Sequence, residues 1–197
     1  SMLELPAPAG NLDAVIAAVQ NGADAVYMGF GDGFNARRSA DNFTRESFAK
    51  AVRYCHIRGC KVYVTLNTLV GDREMDAAAA LAQQASDAGA DAILVQDLGL
   101  ARVLRAALPD IPLHASTQMS IHNRAGVEAA AEMGITRAVL ARELSLEQIR
   151  FISQHASIET EVFVHGALCF CHSGQCYMSA LIGRRSGNRG MCAQPCR

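Results

Sequence analysis

Five cysteines lie close together near the end of the 197-residue chain: Cys169, Cys171, Cys176, Cys192 and Cys196. Thiolates are soft ligands that select zinc or iron–sulfur clusters. Structural zinc sites usually draw on closely spaced cysteine pairs, and only Cys192 and Cys196 have that form here. The wider spacing of the others, in a glycine-rich stretch, favours a loop wrapped around a larger cluster. We therefore expect this segment to bind a metal cofactor.

The remaining cysteines and the nearby histidines have less specific interpretations. The chain has an odd number of cysteines, seven, and its N-terminus does not resemble a secretory signal, so a disulfide framework is not expected. Cys55 and Cys60 are most simply small buried hydrophobic residues. His172 is a better ligand candidate than His165, which is first a hydrogen-bonded core histidine and second a metal ligand or proton donor.

Charge is distributed unevenly along the chain. The net charge is −1, but residues 1–161 carry a net −5, whereas residues 162–197 contain four arginines and no acidic residue. A cationic end suits an anionic substrate, RNA or a thiolate-bound cluster, and a solvated loop is the alternative. Arg184, Arg185 and Arg189 are therefore candidate substrate-binding residues.

A unit of about 30 residues recurs, in which an amphipathic helix ends near a glycine and an apolar strand follows. The glycine is expected to close the helix in the left-handed conformation, and strands apolar on both faces are typical of a sheet covered on both sides. The predicted strands lie near 3–7, 24–29, 61–67, 92–97, 112–118, 137–143 and 159–166. The predicted helices lie near 11–21, 44–58, 73–88, 98–107, 123–133 and 145–155.

Strict alternation of strands and helices predicts a parallel sheet in an α/β fold. No GxGxxG motif opens the first helix, so a TIM-type (β/α)8 barrel is favoured over a doubly wound sheet. We count about seven βα units in residues 1–166, followed by a cluster-binding segment in 167–197. Seven strands leave an open edge between the first and the seventh. We therefore expect a truncated barrel whose remainder follows residue 197, and whose open edge could pair in a homo-oligomer.

Polar residues fall on one face of the predicted strands, toward the carboxyl ends where such barrels place their chemistry. Each could also serve in a buried hydrogen bond or a loop cap, but together they favour a small-molecule or base-binding pocket. The catalytic candidates are Asn67, Gln118, Arg142, Glu143, Glu161 and His165. The substrate-binding candidates on these strands are Gln96, Asp97, His114 and Ser116. Tyr63, Thr65 and Phe163 share the same face.

The run from Glu161 to Ser179 has the form E-x-F-x-x-G-A-L-C-x(4)-G-x-C-x-x-S. This run resembles the signature of peptidase family U32, the collagenase-like proteins. The resemblance extends to LPAPAGNLDA, NGADAVYMG, FNAR, VTLNTL, ASTQMS, ARELS and GNRGMCAQPCR. Asn35 and Arg37, in the FNAR segment, join the substrate-binding candidates.

The resemblance implies a barrel that holds a 4Fe–4S cluster on four cysteines and hydroxylates its substrate without oxygen. It gives ligand roles to Cys169, Cys176 and Cys192, with the fourth ligand beyond residue 197 or replaced by Cys196 or Cys171. It further implies a pyrimidine of ribosomal or transfer RNA as substrate and prephenate as co-substrate.

Three alternatives stay open. The family name implies a collagenase-like peptidase, although neither an HExxH nor a GxSxG motif is present. Some relatives in the family hydroxylate ubiquinone precursors. A zinc-stabilised RNA-binding module would need no catalysis. The sequence has no apolar run long enough for a membrane helix, and we expect a cytoplasmic protein without membrane contact.

Overall fold

The computed structural model describes residues 4–30, 43–66, 72–95, 98–115, 123–140, 144–164 and 168–172. The strands are β1 Pro6–Pro8, β2 Ala25–Phe30, β3 Lys61–Leu66, β4 Ala92–Val95, β5 Leu113–Ala115, β6 Ile135–Val139, β7 Glu159–Val164 and β8 Leu168–His172. The helices are α1 Leu12–Gln20, α2 Arg45–Ile57, α3 Asp72–Asp87, α4 Leu98–Ala107, α5 Arg124–Glu132 and α6 Leu146–His155. One helix follows each of the first six strands, as the sequence predicts.

Strands β1 to β7 form a parallel sheet in chain order, which confirms the predicted βα barrel architecture. The sheet curls, and β8 lies beside β1 with Cα atoms of the two strands within 8 Å of each other. β8 runs antiparallel to β7, with Cys171 opposite Glu161 and Cys169 opposite Phe163. The gap predicted between the first and seventh strands is therefore occupied by a strand from the cysteine segment.

The helix boundaries follow the capping signals in the sequence. The side chain of Asn11 accepts a hydrogen bond from the Ala14 N–H at the start of α1. Thr44 and Ser145 each form a reciprocal capping box at the start of α2 and α6. The glycine after α1, α2, α3 and α5 has a positive φ in every case, between 70° and 105°. The predicted left-handed helix ends are thus confirmed.

The two faces of the sheet have different surroundings. Val62 and Val64 point outward and are fully buried in the apolar layer between the sheet and the helices. Each such side chain contributes about 1.5–3 kcal/mol on burial. Tyr63, between them, packs instead with Ala25 and Ala92 inside the barrel. Alternation along the strands therefore separates an apolar outer core from a more polar lumen. Among the described helices, none combines the length and the apolarity that a membrane crossing requires.

Candidate active site in the barrel lumen

Arg137, in the middle of β6, is the centre of the polar lumen and is only 4% exposed. Its guanidinium contacts three carboxylates from the two ends of the sheet. Nη1 lies 2.8 Å from Glu4 Oε1 and 3.6 Å from Glu161 Oε1, and Nη2 lies 2.8 Å from Glu159 Oε2. Nε also donates to Glu159, at 2.9 Å. A buried arginine with paired acceptors in several directions rigidly fixes the carboxylates around it.

Glu161, on β7, is the most deeply buried of these acids, at 1% exposure. The Tyr27 hydroxyl, from β2 across the barrel, lies 2.7 Å from its Oε1 and 3.0 Å from its Oε2. Burial raises the pKa of Glu161 to about 7, against the opposing effects of the Tyr27 hydrogen bond and the Arg137 charge. A carboxyl group that titrates near neutral pH can both accept and donate a proton, which is what a general acid–base catalyst needs.

Glu4, just before β1, stays ionised in the same network. Its Oε1 accepts hydrogen bonds from the Tyr63 hydroxyl at 2.6 Å and from Arg137 at 2.8 Å. Burial opposes ionisation, but the hydrogen bond and charge of Arg137 and the Tyr63 hydroxyl outweigh it, so the pKa of Glu4 is lowered. Burial also raises the pKa of Tyr63, which stays a neutral donor. The pKa values of Glu4 and Glu161 are therefore shifted in opposite directions beside one arginine.

His114, in the middle of β5, completes the described part of the lumen. Its ring packs edge-on against Tyr63, with ring centroids 4.8 Å apart and an interplanar angle of 69°. Burial, followed by the charges of Arg137 and Lys61, holds the pKa of His114 well below its ordinary value. Its Nδ1 is buried and has no hydrogen-bond partner in the described part of the chain. The imidazole is therefore neutral and carries an unused hydrogen-bonding atom.

Two of the predicted site residues fall on described side chains. The structure places Glu161 and His114 in the lumen on the predicted face, together with Tyr63 and Thr65, while their catalytic and binding roles stay predictions. His114 lies toward the amino ends of the strands and faces the cavity described below. The following candidates lie outside the described residues: Asn35, Arg37, Asn67, Gln96, Asp97, Ser116, Gln118, Arg142, Glu143, His165, Arg184, Arg185 and Arg189.

The predicted metal ligands are only partly described. Position 169 lies in β8, whereas Cys176, Cys192 and Cys196 lie outside the described residues. The side chains that the structure does describe contain no group of three His, Cys, Asp or Glu residues able to hold a metal. The metal site therefore stays a prediction for the cysteine segment.

Sequence reasoning missed Glu4, Tyr27 and Arg137. Arg137 is the one charged residue in the β6 sequence ITRAV, and a lone cation in a short apolar strand is a signal of an inward-facing ion pair. Tyr27 occupies the inward parity of β2, which the same alternation argument would have found. Glu4 precedes a three-residue strand whose pattern is too short to assign a face.

The chain matches a known protein family over most of its length. The model of the family described as peptidase family U32 matches residues 10–197. The chain belongs to peptidase family U32. This finding confirms the resemblance drawn from the Glu161–Ser179 run.

Curated relatives in this family are named either for RNA hydroxylation or for proteolysis. The chain is 45% identical over 195 residues to a 23S rRNA 5-hydroxycytidine synthase of Escherichia coli, covering 99% of this chain and 29% of that protein. It is 41% identical over 194 residues to a tRNA hydroxylation protein of Bacillus subtilis, covering 98% of this chain and 46% of that protein. It is also 36% identical over 206 residues to a collagenase of Porphyromonas gingivalis, covering 98% and 49%. The chain thus spans less than half the length of these relatives.

Solved structures agree on the fold. A U32 peptidase aligns with a TM-score of 0.63 at 17% identity, over 82% of this chain and 68% of that one. A putative copper homeostasis protein of Streptococcus agalactiae aligns with a TM-score of 0.61 at 16% identity, over 80% and 85%. At these identities the likeness concerns the barrel fold alone.

Proposed function

We propose that this chain is the barrel portion of an iron–sulfur enzyme that hydroxylates a pyrimidine of ribosomal or transfer RNA without using oxygen. The observation that carries the proposal is the match, over nearly the whole chain, to relatives named for rRNA and tRNA hydroxylation. The lumen is consistent with it, because a buried carboxyl group with a pKa of about 7 lies beside a tyrosine hydroxyl. Such a pair can hold or move a proton at the substrate ring.

The cofactor in this proposal is a 4Fe–4S cluster held by Cys169, Cys176 and Cys192, with a fourth ligand beyond residue 197 or at Cys196. When bound, such a cluster supplies one-electron transfer. The donor set fits, because thiolates are the ligands that iron–sulfur clusters take. The β8 register also fits, since directly opposed positions of an antiparallel pair share a sheet face. Position 171, opposite Glu161, and position 169 therefore belong to the lumen face. Zinc is the alternative metal.

The lumen residues have separate proposed roles. Glu161 holds the mobile proton, and the Tyr27 hydroxyl orients its carboxyl group. Arg137 fixes the position of that carboxyl group and balances the ionised Glu4. Arg137 and Tyr27 act through Glu161 and are positioning residues.

The substrate side of the proposal rests on the charge of the C-terminal segment. Residues 162–197 carry four arginines and no acidic residue, which favours contact with RNA phosphates. Prephenate is the proposed co-substrate, and the cytoplasm, where ribosomal and transfer RNA are found, is the proposed location. A homo-oligomer through the barrel edge would pair along β8, because β8 occupies that edge.

Peptidase activity is a second candidate because one relative is named a collagenase and another, from Methanocaldococcus jannaschii, an uncharacterized protease. A single experiment separates the two. Full-length protein is incubated anaerobically with total RNA and prephenate, and the nucleosides are analysed by mass spectrometry. A parallel reaction contains gelatin in place of RNA.

The proposed function predicts a hydroxylated pyrimidine that is lost in Cys169→Ser and kept in Cys55→Ala, a control cysteine in the apolar core. Gelatin hydrolysis without RNA modification would contradict it. RNA modification that survives Cys169→Ser unchanged would contradict the cluster assignment.

A further inference from the structure

A cavity of about 610 Å³ opens at the amino ends of β3 to β7, below the Glu161 end of the lumen. β7 ends at Val164, at the opposite, carboxyl end of the barrel, and β8 begins beside it at Leu168. The charged and polar side chains of the cavity wall are those of Lys61, Tyr63, Asp91, His114, Thr136, Arg137, Ser157 and Glu159. Amino-end openings of such barrels usually serve stability rather than chemistry. The hydrogen bonds and ion pairs of these side chains indicate that this opening can also bind a ligand.

Each acidic group of the wall has a cationic or N–H partner. Asp91 Oδ2 accepts from the Val62 N–H at 2.7 Å and lies 2.8 Å from the His56 ring. Glu159 is bound by two nitrogens of Arg137, at 2.9 and 2.8 Å. Arg137 is already bound to carboxylates of the chain, so it is not the group that we expect to bind a ligand.

Lys61 is the exception among the charges of the wall. It is the first residue of β3, its side chain is exposed, and no carboxylate lies within 4.0 Å of its Nζ in the described part of the chain. Lys50, the other lysine of the protein, is paired with Glu46 at 3.2 Å. The charge of Lys61 helps to lower the pKa of Glu4, but its ammonium group forms no ion pair within 4.0 Å in the described part of the chain.

His114 is the second, independent indication of a ligand. Its imidazole lines the cavity, is 4% exposed, and carries the Nδ1 that lacks a partner among the described residues. A buried polar atom without a hydrogen bond costs free energy. This Nδ1 has almost no solvent-accessible surface, so a ligand in the cavity gains its hydrogen bond when the ring turns toward it. The charged side chains that act on the imidazole are both cations, Arg137 and Lys61. A negatively charged group beside the ring is thus favoured over a positive one.

The rest of the wall suits a carbon skeleton. Ala92, Pro112, Ala156 and Ile158 provide apolar surface next to the Tyr63 ring. This apolar strip lies among the polar side chains of the wall, and the volume is within the usual range for a small-molecule site.

From these contacts we infer that the amino-end cavity binds a small organic carboxylate, with its anionic group between Lys61 and His114 and its carbon skeleton against the apolar wall. The inference goes beyond the proposed function. It concerns the amino end of the barrel, opposite the end at which β7 meets β8, and needs neither the cluster nor RNA.

Benzoate is a suitable probe, and benzamide is its neutral analogue of the same shape. Titration of the full-length protein, followed by NMR or calorimetry, is expected to give a benzoate Kd of about 1–10 mM, as for a small fragment. Benzamide is expected to bind at least about tenfold more weakly, because it cannot pair with the ammonium group.

Lys61→Met is expected to raise the benzoate Kd about tenfold, and Lys61→Arg to restore most of the affinity. Lys50→Met, the matched lysine on α2, should leave the Kd unchanged. Lys61 is exposed, so its replacement leaves the core intact. Equal binding of benzoate and benzamide, or equal Kd values for Lys61→Met and the parent protein, would overturn the inference.

The titration of His114 gives a second readout that does not depend on a variant. The Tyr63 ring packs against the imidazole, and the charges of Arg137 and Lys61 act on it. The carboxylates nearby are those of Asp91 and Glu159 in the cavity wall and that of Glu4, which is hydrogen-bonded to Tyr63 and Arg137. A bound carboxylate adds a negative charge to this set, so the pKa of His114 is expected to rise when benzoate binds. Imidazole nitrogen shifts measured against pH would show this rise. An unchanged His114 titration at saturating benzoate would place the anion elsewhere.

Discussion

Replacing Glu161 by glutamine isolates the effect of the buried carboxyl group on stability. Glutamine keeps the size of the side chain and can still hydrogen-bond the Tyr27 hydroxyl, which lies 2.7 Å from Glu161 Oε1. It removes the ability of the side chain to bind and release a proton. We expect the variant to fold and to lose the pH dependence that Glu161 gives the native protein.

The direction and magnitude follow from the pKa. Burial raises the pKa of Glu161 from 4.5 to about 7 in the folded chain. Between these values the folded state keeps a proton that the unfolded state has released, so the contribution to stability is complete below about pH 4.5 and is lost as the pH rises to about 7. The loss amounts to about 3 kcal/mol, at about 1.4 kcal/mol for each pH unit. The group is fully buried, so solvent screening does not reduce this figure much.

The assay is urea unfolding of the parent protein and of Glu161→Gln at several pH values from 4.5 to 8.5. The difference in free energy of unfolding, variant minus parent, is expected to grow in favour of the variant by about 3 kcal/mol across this range. Glu159→Gln is the matched control, because Glu159 lies on the same strand and binds the same Arg137 but has a side chain 42% exposed. A flat difference for Glu161→Gln would refute the assignment of a near-neutral pKa.

Three further substitutions test the packing that positions the site. Tyr27→Phe removes the hydroxyl that stabilises the ionised Glu161, so the pKa of Glu161 should rise further, as measured by infrared titration of the carboxyl band. Arg105→Met removes four hydrogen bonds to backbone carbonyls, including that of Gly134 at 2.7 Å, and should lower the free energy of unfolding by about 2–4 kcal/mol in a urea titration. Gly134→Ala should destabilise more than Gly22→Ala in the same assay: both glycines have positive φ, but the new Cβ would lie 2.7 Å from Arg105 Nε only at Gly134.

Local sequence signals were sufficient to predict the helices and strands of the barrel. Asn11, Thr44 and Ser145 begin helices because their side chains cap backbone N–H groups, and the four glycines end helices because they can adopt positive φ. Alternation along β3, β5 and β7 correctly placed Tyr63, His114 and Glu161 on one face. These features depend on residues near in sequence.

What depends on distant residues could not be predicted in the same way. The partners of Arg137 come from before β1 and from β7, so their convergence requires the closed curvature of the sheet. β8 was missed because its cysteines favoured a metal-ligand interpretation, whereas the strand forms by satisfying the free edge of β7. The amino-end cavity arises from five strand ends meeting, which no local pattern encodes.

The central claim, an iron–sulfur cluster on the cysteine segment, is tested most directly by anaerobic reconstitution of the full-length protein with iron and sulfide. Iron analysis and electron paramagnetic resonance after reduction would follow, on the parent protein and on Cys176→Ser. We expect a brown protein with about four iron atoms per chain and the signal of a reduced 4Fe–4S cluster, both lost in the variant. A colourless protein that retains zinc, with the same metal content in Cys176→Ser, would contradict it.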